Sequence, residues 1–293
     1  MIYGSAFPAK MSTMDASLSE KYDVLIDSLV RMGSVVVAYS GGVDSSVLAA
    51  AGFEALRDDC LAVTAVSPSL ARRELKNARD LARGRGWNHR VVRTHEFQRE
   101  DYVRNDAKRC YWCKLELFEI LAPIASEMGA QIAVGTNLDD LEDYRPGHKA
   151  ATENGVRAPL VESRFSKDEI RSLSGSIGLP VSDKPAAPCL SSRVAYGIRV
   201  TPQRLRRIDR AEDFILSLGF SDVRVRDLGE IARVEVATGE VKRANALSDE
   251  IAAALIAIGF QYVTLDPGGL RSGSLNDVLL PTVRENGRPT ADI

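Results

Sequence analysis

The stretch Val35-Val36-Val37-Ala38-Tyr39-Ser40-Gly41-Gly42-Val43-Asp44-Ser45-Ser46 decides the fold. Its first half is a short apolar, β-branched run of the kind that forms a buried strand. Its second half opens a helical pattern that continues through Val47, Leu48 and Leu56. A strand, a glycine loop and a helix in that order put the loop at the carboxyl end of a sheet, where open α/β folds bind ligands. Gly41 and Gly42 let backbone approach an anion closely, Ser40, Ser45 and Ser46 offer hydroxyls, and the helix turns free amides and its positive dipole end to the same spot. The loop lacks the Gly-Lys-Ser/Thr ending of the common nucleoside-triphosphate loop and the third glycine of the dinucleotide fingerprint, so neither of those binding modes fits. The bland alternative is a tight strand-to-helix turn.

Outward from this loop the rhythm repeats. Tyr22, Leu25, Ile26 and Leu29 have helical spacing, Leu61–Val66, Arg90–Val92 and Ile132–Val134 read as short strands, and Arg72–Ala82 and Lys114–Met128 read as helices. This alternation predicts an α/β fold with a parallel, doubly wound sheet. Beyond residue 198 the order changes to a helix over Pro202–Leu218, strands over Val223–Asp227 and Ile231–Val236, a helix over Val241–Ile258 and a strand over Gln261–Leu265, a smaller α+β domain. The expected division is a leader over 1–17, the sheet domain over 18–197 and a second domain over 198–293 for substrate or subunit contacts. Three prolines between 180 and 188 suit an ordered crossing loop.

Apolar residues make up 45% of the 293, which excludes disorder for most of the chain. Lys and Arg number 38 against 40 Asp and Glu, so the net charge of −2 exerts no general pull on nucleic acid or anionic membrane. No apolar run approaches the roughly 20 residues of a membrane span, and no secretory signal pattern opens the chain, so a cytoplasmic location is expected.

Four cysteines are too few for a disulfide scaffold, but Cys110 and Cys113 form a CxxC pair in Arg109-Cys110-Tyr111-Trp112-Cys113-Lys114. That pair is expected just before a helix start, where helix amides and the cations Arg109 and Lys114 stabilise thiolates. Cys189 lies in the loop Ala187-Pro188-Cys189-Leu190-Ser191-Ser192-Arg193, whereas Cys60 opens an apolar strand and reads as an inert buried thiol. Three ligating cysteines would satisfy three irons of a 4Fe-4S cluster and leave one iron open, while structural zinc prefers four ligands. Exchange thiols without a cluster, and zinc or inert thiols, remain alternatives. In the second domain Arg224 and Arg226 alternate with valines, as do Arg233 and Glu235, so all four share one sheet face. That face is either solvated or, with Arg193, a set of guanidiniums for a phosphate.

The motif Ser-Gly-Gly-Val-Asp-Ser-Ser resembles the pyrophosphatase loop of the PP-loop ATP pyrophosphatase superfamily, whose fold is the adenine nucleotide alpha hydrolase-like one. The resemblance implies that Ser40, Gly41, Gly42, Asp44, Ser45 and Ser46 grip the pyrophosphate of ATP, with magnesium at Asp44. It also implies that Gly135-Thr136-Asn137-Leu138-Asp139-Asp140 is the later loop, with Gly135 and Thr136 at the nucleotide and Asp139 at the metal. Ala65-Val66-Ser67-Pro68 would then receive the adenosine, through Ser67.

From about residue 20 onward the chain resembles the LarE family, the ATP-dependent sulfur transferases of nickel-pincer nucleotide cofactor biosynthesis. The resemblance is carried by the Ser40–Ser46 loop, Arg109–Lys114, Lys184–Gly197 and the tail Leu265–Ser274. It implies adenylation of a carboxylate of pyridinium-3,5-biscarboxylic acid mononucleotide, then sulfur insertion to give a thiocarboxylate. Some members sacrifice the sulfur at the position of Cys189; others carry three cysteines and deliver sulfur from a 4Fe-4S cluster, the type that Cys110, Cys113 and Cys189 match. The substrate or metal region of the family falls at Arg224, Arg226, Glu212 and Glu235, with magnesium expected at the two glutamates and the substrate phosphate at Arg193, Arg224 and Arg226. The expected partner is a small-molecule nucleotide substrate, neither membrane nor nucleic acid, and the expected assembly is a homo-oligomer. A tRNA thiolase of the same superfamily is the main rival; such an enzyme would be expected to add a basic extension or RNA-binding module, whereas the domain from residue 198 onward holds acidic and basic residues in similar numbers. A non-catalytic ATP-binding sensor is the other, and Asp44, Asp139 and Asp140 argue against it.

Overall fold

A computed structural model describes residues 15–141 and 146–271. Most of the predicted leader, residues 1–14, and positions 272–274 of the tail motif lie outside them. The described elements in chain order are α1 (Ala16–Met32), β1 (Val35–Ala38), α2 (Val43–Leu56), β2 (Cys60–Val66), α3 (Arg72–Gly84), β3 (His89–Arg93), α4 (Glu100–Val103) and α5 (Arg109–Met128). They continue with β4 (Gln131–Val134), α6 (Pro146–Glu153), α7 (Pro159–Glu162), α8 (Lys167–Ser176), α9 (Pro202–Ser217), β5 (Val223–Asp227), β6 (Ile231–Val236), α10 (Val241–Ala246), α11 (Ser248–Ile258) and β7 (Tyr262–Leu265). None of these helices is long and apolar enough to cross a membrane.

The chain forms two compact units: one of residues up to Val66, Arg73–Thr94 and Lys114–Ala187, the other of Ser67–Arg72, His95–Cys113 and residues from Pro188 onward. This differs from a single cut at 197/198. Ala71, Tyr102, Val103, Leu190 and Val194 are buried in the same core as Leu205, Ile208, Val225 and Leu255, so apolar packing draws three separate segments into the second unit.

In the first unit the four strands are parallel in the order β3-β2-β1-β4. Val35, Val37, Cys60 and Ala62 face a core shared with Leu25 and Leu29 of α1, Val47 and Leu48 of α2, and Ile170 and Leu173 of α8. Val36, Leu61 and Val63 face the other side, against Leu121, Ile124 and Ala125 of α5. Both faces are covered, which is why the central strands β1 and β2 are nearly continuous apolar runs instead of alternating, whereas the edge strand β3 (His89-Arg90-Val91-Val92-Arg93) is only partly buried. Each buried valine contributes about 1.5–3 kcal/mol. The sheet is therefore doubly wound, and β1, with β2 on one side and β4 on the other, ends at the point where the strand order reverses.

The second unit has a mixed three-stranded sheet, β5 antiparallel to β6 and β6 parallel to β7, packed against α9 and α11. Two element boundaries differ from expectation. α5 starts at Arg109, five residues before Lys114, so Cys110 and Cys113 are its second and fifth residues, one helical turn apart. The helix expected over 241–258 is interrupted at Leu247 (φ −104°, ψ 15°), where Asn245, a weak helix former, is followed by Ser248, Asp249 and Glu250, residues suited to starting a new helix.

Candidate active site

The loop after β1 is built as a rigid cradle. Tyr39 is tied at both backbone groups: its amide donates to the Val63 carbonyl at 2.8 Å, and its carbonyl accepts from Thr64 Oγ1 at 2.8 Å. Ser45 Oγ accepts from the Ser40 amide at 3.2 Å and donates to the Gly42 carbonyl at 3.2 Å, which closes the loop on itself. Gly42 caps α2 with no side chain satisfying the helix amides. Such an uncapped N-terminus is a site for an anion. Gly41 has φ +75°, and a Cβ there would lie 2.8 Å from Ala78 Cβ. A Cβ on Gly135 would lie 2.8 Å from the Ser45 amide nitrogen, so the later loop rests directly on the first turn of α2. Ser46 is fully buried, and its amide donates to the Gly42 carbonyl at 3.0 Å.

Asp44 projects from that first turn and is held from two directions. Asn137 Nδ2 donates to its Oδ1 at 3.0 Å, and Lys167 Nζ lies 2.5 Å from its Oδ2. Asn137 is itself fixed by reciprocal bonds with Asp140, and the Lys167 amide donates to Asp139 Oδ2. Across the loop, Lys184 Nζ bonds the Gly41 carbonyl at 3.0 Å and pairs with Glu74 at 2.7 Å. Hard oxygen donors at Asp44 and Asp139 suit magnesium, which takes one or two carboxylates and fills its shell with water and phosphate.

In the second unit the three cysteines surround a buried Tyr102–Arg109 pair. Tyr102 Oη bonds Ser191 Oγ at 2.7 Å; its pKa is pushed well up by burial and by the neighbouring Cys189 and Cys113 thiols. Arg109 donates to Asn105 Oδ1 at 2.5 Å and to the Ser191 carbonyl at 2.8 Å, with Nη2 4.0 Å from Cys110 Sγ. Burial opposes its charge, but Cys110, Cys189 and Tyr102 more than compensate and hold its pKa up. Cys110 is exposed, Cys113 and Cys189 are half-buried, and Cys60 is buried with its pKa pushed up to about 12. Ser67 stands in this unit too, donating to Glu96 Oε1 at 2.5 Å beside Ser69.

The polar face of β5 and β6 is largely buried, with Arg233 part-exposed at its edge. Arg193, Glu212, Arg226 and Glu235 are all buried, and Arg224 nearly so. Arg193 Nε meets Glu212 Oε1 at 2.9 Å, Arg226 Nη2 meets Glu235 Oε2 at 2.8 Å, and Arg233 Nη2 meets Glu235 Oε1 at 3.0 Å. Arg193 also donates to the Pro188 and Cys189 carbonyls, and Arg226 to the Ser192 carbonyl, so this face anchors the Cys189 turn. Burial and the neighbouring Arg193 and Arg226 charges push the Arg224 pKa down, partly offset by Asp222 and Glu235. A magnesium ion at Glu212 or Glu235 would have to displace a guanidinium. Among the described residues no three His, Cys, Asp or Glu side chains form a group that could hold a metal ion, the three cysteines included.

No protein-family model matches the chain. An uncharacterized protein of Synechocystis sp. is 42% identical over 265 residues, covering 89% of this chain and 99% of the relative. The pyridinium-3,5-bisthiocarboxylic acid mononucleotide synthase of Lactiplantibacillus plantarum is 36% identical over 267 residues, covering 90% of this chain and 96% of that enzyme. The chain belongs to the LarE family. A further relative, an uncharacterized protein of Methanocaldococcus jannaschii, is 26% identical over 261 residues, 89% of this chain and 96% of its own length.

For this LarE-family chain the structure brings Ser40, Gly41, Gly42, Asp44, Ser45, Gly135 and Asp139 together in the first unit, and Cys110, Cys113, Cys189, Arg193, Arg224, Arg226, Glu212 and Glu235 in the second. Sequence reasoning missed Lys167, Lys184, Asn137, Tyr102 and Glu96. For Lys167 part of the signal was present: Ser166-Lys167-Asp168-Glu169 has capping-box spacing, and the box forms. Its pairing with Asp44, 123 positions away, leaves no trace in local sequence.

Proposed function

We propose that this protein adenylates a carboxylate of pyridinium-3,5-biscarboxylic acid mononucleotide with ATP, releases pyrophosphate, and then replaces the activated oxygen with sulfur. As a member of the LarE family it is an enzyme, a sulfurtransferase of nickel-pincer cofactor biosynthesis. The observation that carries the adenylation step is the uncapped N-terminus of α2 behind a Ser40–Gly42 loop already closed around Ser45, with Asp44 beside it. Fixed amides there suit the oxygens of a pyrophosphate group. Magnesium at Asp44 and Asp139 would neutralise the phosphate charge. Asn137 orients Asp44 for that task, and Lys184 holds the Gly41 carbonyl so that the loop keeps its shape.

Sulfur is proposed to come through Cys110, Cys113 and Cys189. Their support is chemical: Cys110, near the start of α5, and Cys189 share one buried guanidinium, Arg109, while Cys113 and Cys189 both neighbour the buried Tyr102. The three thiols do not stand as a metal-holding group here; a 4Fe-4S cluster would need the start of α5 and the Cys189 turn to close on it, and would then supply sulfur at its open iron. The Tyr102–Ser191 bond and the Arg193–Glu212 pair hold the Cys189 turn in place. The substrate phosphate is assigned to Arg224, supported by its desolvated cation beside two further guanidiniums. Arg193 is committed to Glu212 and Arg226 to Glu235, and both hold the Cys189 turn, so their proposed part in phosphate binding is through that anchor.

One experiment tests both halves. Asp44→Asn is expected to lower pyrophosphate release by about a hundredfold or more with folding unchanged, since it removes a metal-binding charge from the first turn of α2 without deleting core volume. Release at the wild-type rate rejects the loop assignment, and ADP as the stoichiometric product rejects adenylation. Intact mass after turnover then separates the sulfur routes: a loss of roughly 34 Da at Cys189, with activity retained in Cys110→Ser, rejects the cluster.

A further inference from the structure

Lys167 has a place that the loop motif does not explain. It is the first residue of α8, rooted by the Ser166–Glu169 capping box and by its own amide, which donates to Asp139. From that root its ammonium reaches 2.5 Å from Asp44 Oδ2, while Asn137 fixes the other carboxylate oxygen at 3.0 Å. The pair is only partly shielded, with 34% of the lysine side chain and 22% of the aspartate exposed. Asp44 already gains from the positive end of the α2 dipole, so fold stability does not require a second cation here. The ammonium stands where a divalent ion would meet Oδ2, and both cannot hold that oxygen at bonding distance.

We propose that Lys167 is a phosphate-binding residue that occupies the metal's position on Asp44 until nucleotide arrives. The inference rests on the ATP reading of the Ser40–Ser46 loop and goes beyond it. Magnesium carried in by the triphosphate takes Oδ2. The displaced ammonium, on a flexible four-carbon stem, moves to the phosphate oxygens a few ångströms away at the α2 N-terminus, where it stabilises the charge of the departing pyrophosphate. Two consequences follow: metal without nucleotide is excluded, and metal and phosphate bind as one unit.

The test compares wild-type protein, Lys167→Met and Lys167→Arg by Mn²⁺ titration without nucleotide, read by electron paramagnetic resonance, and by calorimetric binding of MgATP. Lys167→Met is expected to bind Mn²⁺ at least tenfold more tightly than wild type and MgATP at least tenfold more weakly. Lys167→Arg, which keeps the charge, is expected to exclude Mn²⁺ as the wild type does. Equal Mn²⁺ affinities in wild type and Lys167→Met, with wild type binding MgATP, overturn the exchange, as does an unchanged MgATP affinity. Wild-type protein that binds no MgATP defeats the reading of the loop itself, a separate result. A cooperative urea transition in each variant establishes that the comparison is between folded proteins.

Discussion

Single residues in this protein carry loads that their types alone do not announce. Arg193 and Glu212 are a case: with side chains 4% and 0% exposed they form a buried ion pair whose removal from one side strands a charge. Arg193→Met is expected to cost about 3–5 kcal/mol, read as a lower urea midpoint, whereas Arg193→Met with Glu212→Gln should cost clearly less than the two single changes added together. Simple additivity would contradict the pairing. Burial acts on neutral groups as well. The Cys60 thiol and the Tyr39 phenol are pushed up to about 12 by burial, and Tyr22 is raised further by burial and by its bond to Glu54. Because the folded pKa values exceed the unfolded ones, the stability these groups lend is complete below about pH 8.5 and is lost as the unfolded chain ionises between there and about pH 12. Urea midpoints should therefore fall from pH 7.5 to pH 10.5, and Cys60 should resist alkylation until the chain unfolds. Equal midpoints would show that the unfolded state shares the raised values.

At the scale of elements, the contact between the Gly135 loop and α2 is the feature most open to challenge. Gly135→Ala places a methyl 2.8 Å from the Ser45 nitrogen, against backbone that cannot yield cheaply. It is expected to cost about 1–3 kcal/mol and to weaken ATP binding more than tenfold by moving the first turn of α2, as measured by melting temperature and calorimetry. Normal ATP affinity would mean that the two loops are not coupled. The same scale shows what was legible beforehand. The four strands of the first sheet and the helices α2, α3 and α9 were readable within two residues, because each strand holds a short apolar β-branched run, only Val91-Val92 in the edge strand β3, and each helix has a clear face or start signal. α4, α6 and α7 are too short for periodicity to register, and α8 was announced only by its capping box. The alternation in β5 and β6 was correct in register, yet it suggested water as strongly as a core. What covers that face is the Cys189 turn, more than thirty residues upstream of β5 and invisible to any local pattern.

For the molecule as a whole, the second unit is a core with borrowed parts. Ala71, Tyr102, Val103, Leu190 and Val194 are buried in it, yet all precede residue 198. A fragment covering only 198–293 would lose these contacts, on the order of 10 kcal/mol of apolar burial, as much as a domain's whole stability. It is expected to show no cooperative thermal transition by circular dichroism; a sharp one would mean that the fragment folds by itself. The same threading has a consequence in time. Synthesis delivers Cys110 and Cys113 first, and the turn bearing Cys189 follows 76 residues later, roughly ten seconds at 5–20 residues per second. Throughout that interval the core that sequesters their neighbours does not yet exist. The two thiols to which we assign sulfur chemistry are then ordinary reactive groups on a nascent chain, open to oxidation or to whatever soft metal is at hand. Correct maturation therefore depends on the surroundings in which this protein is made as well as on the structure it finally reaches.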